Sequence, residues 1–254
     1  MFSIFVVRHV MIRTYLTRLR NCQKSTMAKI IPVDLDGPNS QIDMVQSVMS
    51  GAKSLLAGHV IAVPTDTIYG VAGLAQNSNA VAEIYNIKQR NLEKPIAISV
   101  GDIQDIYRWS KVTVSEEVLQ DLLPGPVTVV MQRSKELNPE LNPNTELVGV
   151  RIPDHDFIRA LCRSCGGPIA LTSANSSGSQ STLSVEEFQS LWPRLDLIFD
   201  GGQLGDTEES RLGSTVVDLS IEGKFRIIRE GSAYQATVDL LRNKHKIEEI
   251  LKIL

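Results

Sequence analysis

The stretch Val63–Val100, VPTDTIYGVAGLAQNSNAVAEIYNIKQRNLEKPIAISV, decides how this chain is read. An apolar strand, His59 to Val63, stops at Pro64 and gives way to Thr65, Asp66, Thr67, Tyr69 and Gly70. Asn77-Ser78-Asn79 can cap a helix whose inner face is Val81, Ile84, Tyr85 and the stem of Lys88, ending around Gln89-Arg90. After Lys94-Pro95 a second strand runs from Ile96 to Val100. Strand, polar loop, helix and strand form the repeating unit of an α/β fold, and the loop at the strand's end is where such a scaffold displays functional groups.

Working outward, apolar residues at Ile42, Val45, Val48, Met49, Ala52, Leu55 and Leu56 form a helical stripe that Gly58 closes. Downstream come a helix near Ile103 to Trp109, another opened by Ser115, and the turn Pro124-Gly125-Pro126 feeding a strand from Val127 to Met131. A strand Leu147 to Ile152 leads to an Asp154-capped helix, Phe157 to Cys165, then a strand Pro168 to Leu171. Ser184 with Glu187 reads as a capping box for a helix reaching Leu191. Ser214 to Leu219 and Phe225 to Arg229, joined by Glu222-Gly223-Lys224, predict a β-hairpin, so the sheet mixes parallel and antiparallel pairs. The tail from Lys244 to Leu254 fits either a short amphipathic helix packing back or a frayed end.

With 254 residues, 43% hydrophobic and 22% charged, the chain has the composition of an ordinary globular protein, and no linker or repeat divides it. A net charge of -3 leaves no general basic field for nucleic acid, so a polyanion must be met by a local cluster. Three cysteines, Cys22, Cys162 and Cys165, are too few for a disulfide scaffold. Residues 1–33 carry four Arg, two Lys and no acid, which resembles a mitochondrial transit segment; a start at Met27 would leave a cytosolic form. No apolar run reaches membrane-spanning length.

Polar clusters follow the strands at Thr65-Asp66-Thr67, Ser173-Ala174-Asn175, Ser214-Thr215 and Arg229-Glu230-Gly231, with Arg151 at the end of its own strand. Hydroxyls, an amide and cations without a nucleophile-base pair or a metal cage suit a phosphate-bearing ligand of the ATP type, although neither a P-loop nor G-x-G-x-x-G occurs. Each cluster has a plainer reading. Thr65-Asp66-Thr67 alone is a hydrogen-bonded turn, and Lys88, Arg90 and Lys94 alone are a solvated helix end favoured by the helix dipole. Cys162-Arg163-Ser164-Cys165 has redox or zinc spacing but no second pair, which favours two structural thiols.

The ordered series PTDTIYG, KQR, KP, PGPVT, VRIPDH, TSANSSG, STVVD and REG resembles the YrdC-like threonylcarbamoyl-adenylate synthase family. The resemblance implies an α/β single domain over residues 40–235, a twisted mixed parallel/antiparallel sheet around a deep positively charged cavity, with an N-terminal extension over 1–33 and a C-terminal tail over 236–254. It implies condensation of L-threonine, bicarbonate or CO2, and ATP into threonylcarbamoyl-adenylate and pyrophosphate, with Mg2+ arriving on ATP, no organic cofactor and no protein metal site. A downstream threonylcarbamoyl transferase complex then modifies the tRNA adenosine beside the anticodon, tRNA being at most an indirect or weak partner of this chain. Location is cytoplasmic, mitochondrial or both, without integral membrane contact.

Carried over residue by residue, the resemblance assigns Thr67, Arg151, Ser214 and Leu171 to L-threonine. Lys88, Arg90, Lys94, Ser173, Asn175, Ser181 and Arg229 fall to ATP, with Lys88 and Arg90 as the catalytic pair. The chain departs from the family pattern at Lys94, where Asn is common, at Ser99, where His is common, at Leu147, where Thr is common, and at Glu230, where Pro is frequent. The rival reading is a non-catalytic RNA-binding module, which 5% aromatic residues and an acidic balance equip poorly for stacking or phosphate attraction. A carbamoyl-handling maturation factor would need zinc-finger and acylphosphatase-like segments, and none is visible.

Overall fold

A computed structural model describes residues 28–33, 40–88, 94–176 and 178–250. The proposed transit segment lies, but for its last residues, outside that range, as does Arg90.

The elements are β1 (Lys29–Pro32), α1 (Ser40–Leu56), β2 (Ile61–Val63), β3 (Gly70–Leu74), α2 (Ser78–Lys88), β4 (Ala97–Ser99), α3 (Ile103–Trp109), β5 (Ser110–Lys111), α4 (Glu116–Leu122), β6 (Val127–Arg133), β7 (Leu147–Arg151) and α5 (Asp156–Cys165). They continue with β8 (Ile169–Ser173), β9 (Leu197–Asp200), β10 (Thr215–Asp218), β11 (Lys224–Arg229), α6 (Tyr234–Asp239) and β12 (Glu248–Glu249). The strands form one sheet in the order β1-β9-β2-β3-β8-β4-β7-β6-β10-β11-β12, with β5 on β6. Pairing is parallel at β1/β9, β4/β7 and β6/β10 and antiparallel at β2/β3, β3/β8, β6/β7 and β10/β11. The sheet is mixed, as the predicted hairpin requires.

Both faces are covered. On one, α1 and α5 bury Leu55, Phe157, Leu161 and Phe199, with the Phe157 and Phe199 rings 4.8 Å apart. Each such side chain contributes about 1.5–3 kcal/mol by leaving water. The other face holds the larger core, from Ile84 and Ile98 through Leu119 and Val150 to Phe225.

Several boundaries differ from the sequence reading. Lys29–Pro32, assigned to the extension, is a sheet strand, because Ile31 and Val33 add to the α1/α5 core while the backbone pairs with β9. The tail packs back as far as it is described: over residues 236–250 Val238 and Leu241 are buried, Leu240–Lys244 forms a π turn, and β12 pairs with β11. His155, not Asp154, is the N-cap of α5, and the Asp154 N–H donates to Asp66 Oδ2 at 3.0 Å. After Ser184 the chain makes kinked 3₁₀ turns, Val185–Arg194, interrupted at Phe188 and containing Pro193. Glu187 there accepts the Leu183 N–H at 3.0 Å and holds Arg211, while the Ser184 hydroxyl makes no capping bond. Finally, the apolar stripe of α1 splits: Val48, Ala52 and Leu55 are buried, whereas Ile42, Val45, Met49 and Leu56 face outward.

Candidate active site

Sheet register brings the polar loops together. Gly70, at the start of β3, pairs with Ser173 at the end of β8, so the Pro64–Tyr69 loop and the Ser173–Asn175 loop leave the sheet at one place. They are stitched there by Ala174 N–H to the Tyr69 carbonyl at 2.8 Å and Tyr69 N–H to the Thr182 carbonyl at 3.0 Å. Arg151 ends β7, and Ser214 immediately precedes β10. Between them opens a cavity of about 370 Å³, walled by Ile96, Val130, Leu147, Val216 and Ile228 and bearing the polar groups of Thr65, Thr128, Arg151, Ser173, Ser214 and Arg229. That volume fits a small-molecule site.

Within the first loop, the Thr65 hydroxyl donates to the Ile68 carbonyl at 2.7 Å and accepts the N–H groups of Thr67 and Ile68 at 3.2 and 3.3 Å. This fixed turn offers the Thr67 hydroxyl to Arg151, whose Nη2 donates to it at 2.8 Å. The same Nη2 pairs with Asp66 Oδ1, an ion pair in which both side chains are less than a tenth exposed. Arg151 Nε is buried with no partner among the described residues. Burial, more than the approach of Arg229, pulls the Arg151 pKa down, and the Asp66 charge counters it. A guanidinium in that state gains from an incoming carboxylate, which supplies charge and acceptors together.

Arg229 reaches back across its hairpin and donates to the Ser214 carbonyl at 2.7 Å and its hydroxyl at 3.3 Å. Ser214 Oγ also shares a hydrogen with Thr128 Oγ1 at 2.8 Å. Burial lowers the Arg229 pKa. This corner is tight because Gly231 lies on the Ser214–Thr215 backbone, where a Cβ would meet the Ser214 carbon at 2.3 Å.

Lys88 corrects the solvated-end reading of the helix. It is 2% exposed, and its ammonium donates to the Ser173 carbonyl at 2.6 Å, to Asn175 Oδ1 at 2.7 Å and to the Asn175 carbonyl. Ser173 Oγ in turn donates to Asn175 Oδ1 at 2.5 Å, and Asn175 Nδ2 holds the Ser179 carbonyl. The lysine, serine and asparagine are therefore one braced unit behind the cavity wall, with only Ser173 on the lining.

Of the remaining expected residues, Leu171 lines the cavity. Lys94 is exposed and off the lining; Ser181 is half-buried and also off it, its carbonyl receiving Arg211 at 2.7 Å. Ser99 is buried and takes the Cys162 thiol at 3.6 Å, away from the cavity; Leu147 is on its wall. Burial pushes the Cys162 thiol up to about 12 and Cys165 up to about 11, so neither is a ready thiolate. Sequence reasoning missed Thr128 and the Asp66–Arg151 pair. Thr128 stood in the PGPVT motif as the one hydroxyl in an apolar strand, whereas nothing local marks a contact spanning 85 positions.

No Asp or Glu is among the described residues lining the cavity. The acid-rich cluster that is present, Glu117, Asp121 and His245, lies elsewhere and already holds the Lys244 ammonium, 2.5 Å from Asp121.

Comparison with known proteins places these features in context. The Sua5/YciO/YrdC family model, described as telomere recombination, matches residues 53–231. The threonylcarbamoyl-AMP synthase of Mus musculus is 51% identical over 216 residues, 84% of this chain and 77% of the mouse protein. That of Homo sapiens is 54% identical over 202 residues, covering 79% and 72%. The crystal structure of P. abyssi Sua5 complexed with L-threonine superposes with a TM-score of 0.73 at 25% identity, over 89% of this chain and 63% of that one.

Proposed function

The chain belongs to the Sua5/YciO/YrdC family, and from that premise we propose that it is a threonylcarbamoyl-AMP synthase, joining L-threonine, bicarbonate or CO2, and ATP into threonylcarbamoyl-adenylate and pyrophosphate. The observation that carries this reading is one cavity lined by a buried, incompletely satisfied Arg151 together with Ser173, Ser214 and Arg229, with Thr67 just behind the lining on Arg151 and the Lys88–Asn175 brace behind Ser173. Arg151 receives the amino-acid carboxylate, and the hydroxyls of Thr67 and Ser214 orient the rest of the molecule. Leu171 bounds the space for the small side chain.

The nucleotide lies toward Arg229 and Ser173, its base against the apolar wall that includes Val216 and Ile228. Attack of the threonine carbamate oxygen on the α-phosphorus expels pyrophosphate, and donors already in place stabilise the charge added in the transition state. Arg90 serves in this role, and Lys88 supports it from behind the wall by holding Ser173 and Asn175 in place. Mg2+ arrives bound to the polyphosphate, since the acid-free lining offers it no carboxylate cage. The product passes to a threonylcarbamoyl transferase complex that modifies tRNA. The acid-free, arginine-bearing start directs the full chain to mitochondria, and initiation at Met27 leaves a cytoplasmic form. No described helix is long and apolar enough to cross a membrane.

Pyrophosphate release from ATP and Mg2+ tests the reading. It is expected only when threonine and bicarbonate are both present, with the adenylate detected by mass spectrometry. Tight RNA binding without adenylate under any metal condition returns the molecule to the RNA-binding class.

A further inference from the structure

Helix α1 is apolar on two sides. Its inner arc of Val48, Gly51, Ala52 and Leu55 packs against α5 and the sheet. Its outer arc leaves Ile42 61%, Val45 55%, Met49 67% and Leu56 59% exposed, four of the large exposed hydrophobics of the described residues on a single helix. Scattered exposed side chains are ordinary, but a second stripe along a helix already buried on the other side calls for a partner. Ile42, Met49 and Leu56 are each seven residues apart, the spacing that keeps side chains on one line facing another helix.

We infer that this line docks a second copy of the chain, α1 against α1, antiparallel about a twofold axis at Met49. The sequence is self-complementary under that operation, as an isologous contact demands. Reversal about Met49 sets Met49 on the partner's Met49 and Ile42 on the partner's Leu56, at both ends. It also brings Lys53 level with the partner's Val45, beside the partner's Asp43, so that opposite charges meet twice along the edge of the seam. A parallel pairing would instead set lysine on lysine and aspartate on aspartate. A lipid surface is a poorer match, because the outward face of the helix carries a single lysine and an aspartate rather than a basic band. One helix per copy gives an interface near the lower limit of about 1,000 Å², so the dimer is expected in the micromolar range.

Sedimentation equilibrium of the full chain from about 1 to 100 µM is the test, spanning that affinity range. A reversible monomer–dimer equilibrium is expected. Met49→Glu should shift it to monomer with unchanged melting temperature and turnover, Asp43→Lys should weaken it several-fold, and Asp43→Lys combined with Lys53→Asp should restore it. A full chain that stays monomeric throughout overturns the inference, as does a dimer indifferent to Met49→Glu. If only a chain begun at Met27 dimerises, the face belongs to the molecule's own N-terminal segment, and the inference fails in that form too.

Discussion

The Lys88 ammonium lies 2.7 Å from Asn175 Oδ1 although 87 positions separate the two residues, and this contact joins the end of α2 to the loop after β8. A buried cation held by carbonyl, hydroxyl and amide oxygens is as much a part of the fold as of the site.

Lys88→Ala therefore should not separate activity from stability. Removing the donor leaves several buried acceptors unmet, at a cost of about 2–3 kcal/mol, or roughly 5–10 °C in melting temperature for a chain of this size. Turnover should fall about a hundredfold or more alongside. Melting curves and pyrophosphate release on one preparation check both; an unchanged melting temperature would return Lys88 to the surface role.

Arg151→Ala should raise the KM for threonine by about a hundredfold while ATP binding persists, because the lost group is the carboxylate's partner. Asp66→Asn should act differently. It strips the buried guanidinium of its paired charge, so the free protein loses about 3–5 kcal/mol, and saturating threonine should recover part of that loss by supplying a carboxylate. Thermal shift with and without threonine distinguishes the two variants.

Two glycines of the site should respond unlike each other. A Cβ at Gly70 meets Leu171 Cδ1 at 2.6 Å, the tip of a flexible side chain that can yield into the cavity, so Gly70→Ala should spare the fold and impair threonine binding. A Cβ at Gly231 meets backbone at 2.3–2.5 Å, with nowhere to go, so Gly231→Ala should destabilise by several kcal/mol and pull Arg229 off Ser214. Equal melting temperatures for the two variants would contradict this.

Burial depresses the His155 pKa below 6.5 despite nearby Asp66, Asp156 and Asp154. The unfolded chain takes up a proton there at a higher pH than the folded one, so stability falls as pH drops from 6.5 toward the lower folded pKa, by at most about 1.4 kcal/mol per pH unit. His155→Gln should flatten that part of a stability–pH profile measured in urea; a profile that keeps its slope would assign the titration elsewhere.

Much of this architecture was legible because period and punctuation agree. The stripe before Gly58, the turn at Pro124-Gly125-Pro126 and the Glu222–Lys224 hairpin each carry a local signal, and each element forms where expected. What escaped has physical reasons. β3, GVAGL, is small and almost wholly buried on both faces, so it shows neither alternation nor β-branched bulk. β9, LIFD, is four residues long and follows shortly on Pro193. The split of the α1 stripe depends on which arc meets α5, a tertiary fact that periodicity cannot supply. Arg151, Ser173, Ser214 and Arg229 could be picked out from motifs, yet their convergence depends on sheet order, which joins β8 to β4 and β6 to β10 across long intervals of chain.

Strand β12 lies along Lys224 and Phe225 of the strand that ends in Arg229, while Lys244 and His245 just before it are moored to Asp121 at 2.5 and 2.6 Å. The segment from Lys244 to Glu249 is thus mechanically in series with the cavity. A carboxypeptidase trimming inward past Glu248 would loosen the outer support of β11 before reaching any residue of the site, so limited digestion should announce itself first as slackened nucleotide affinity.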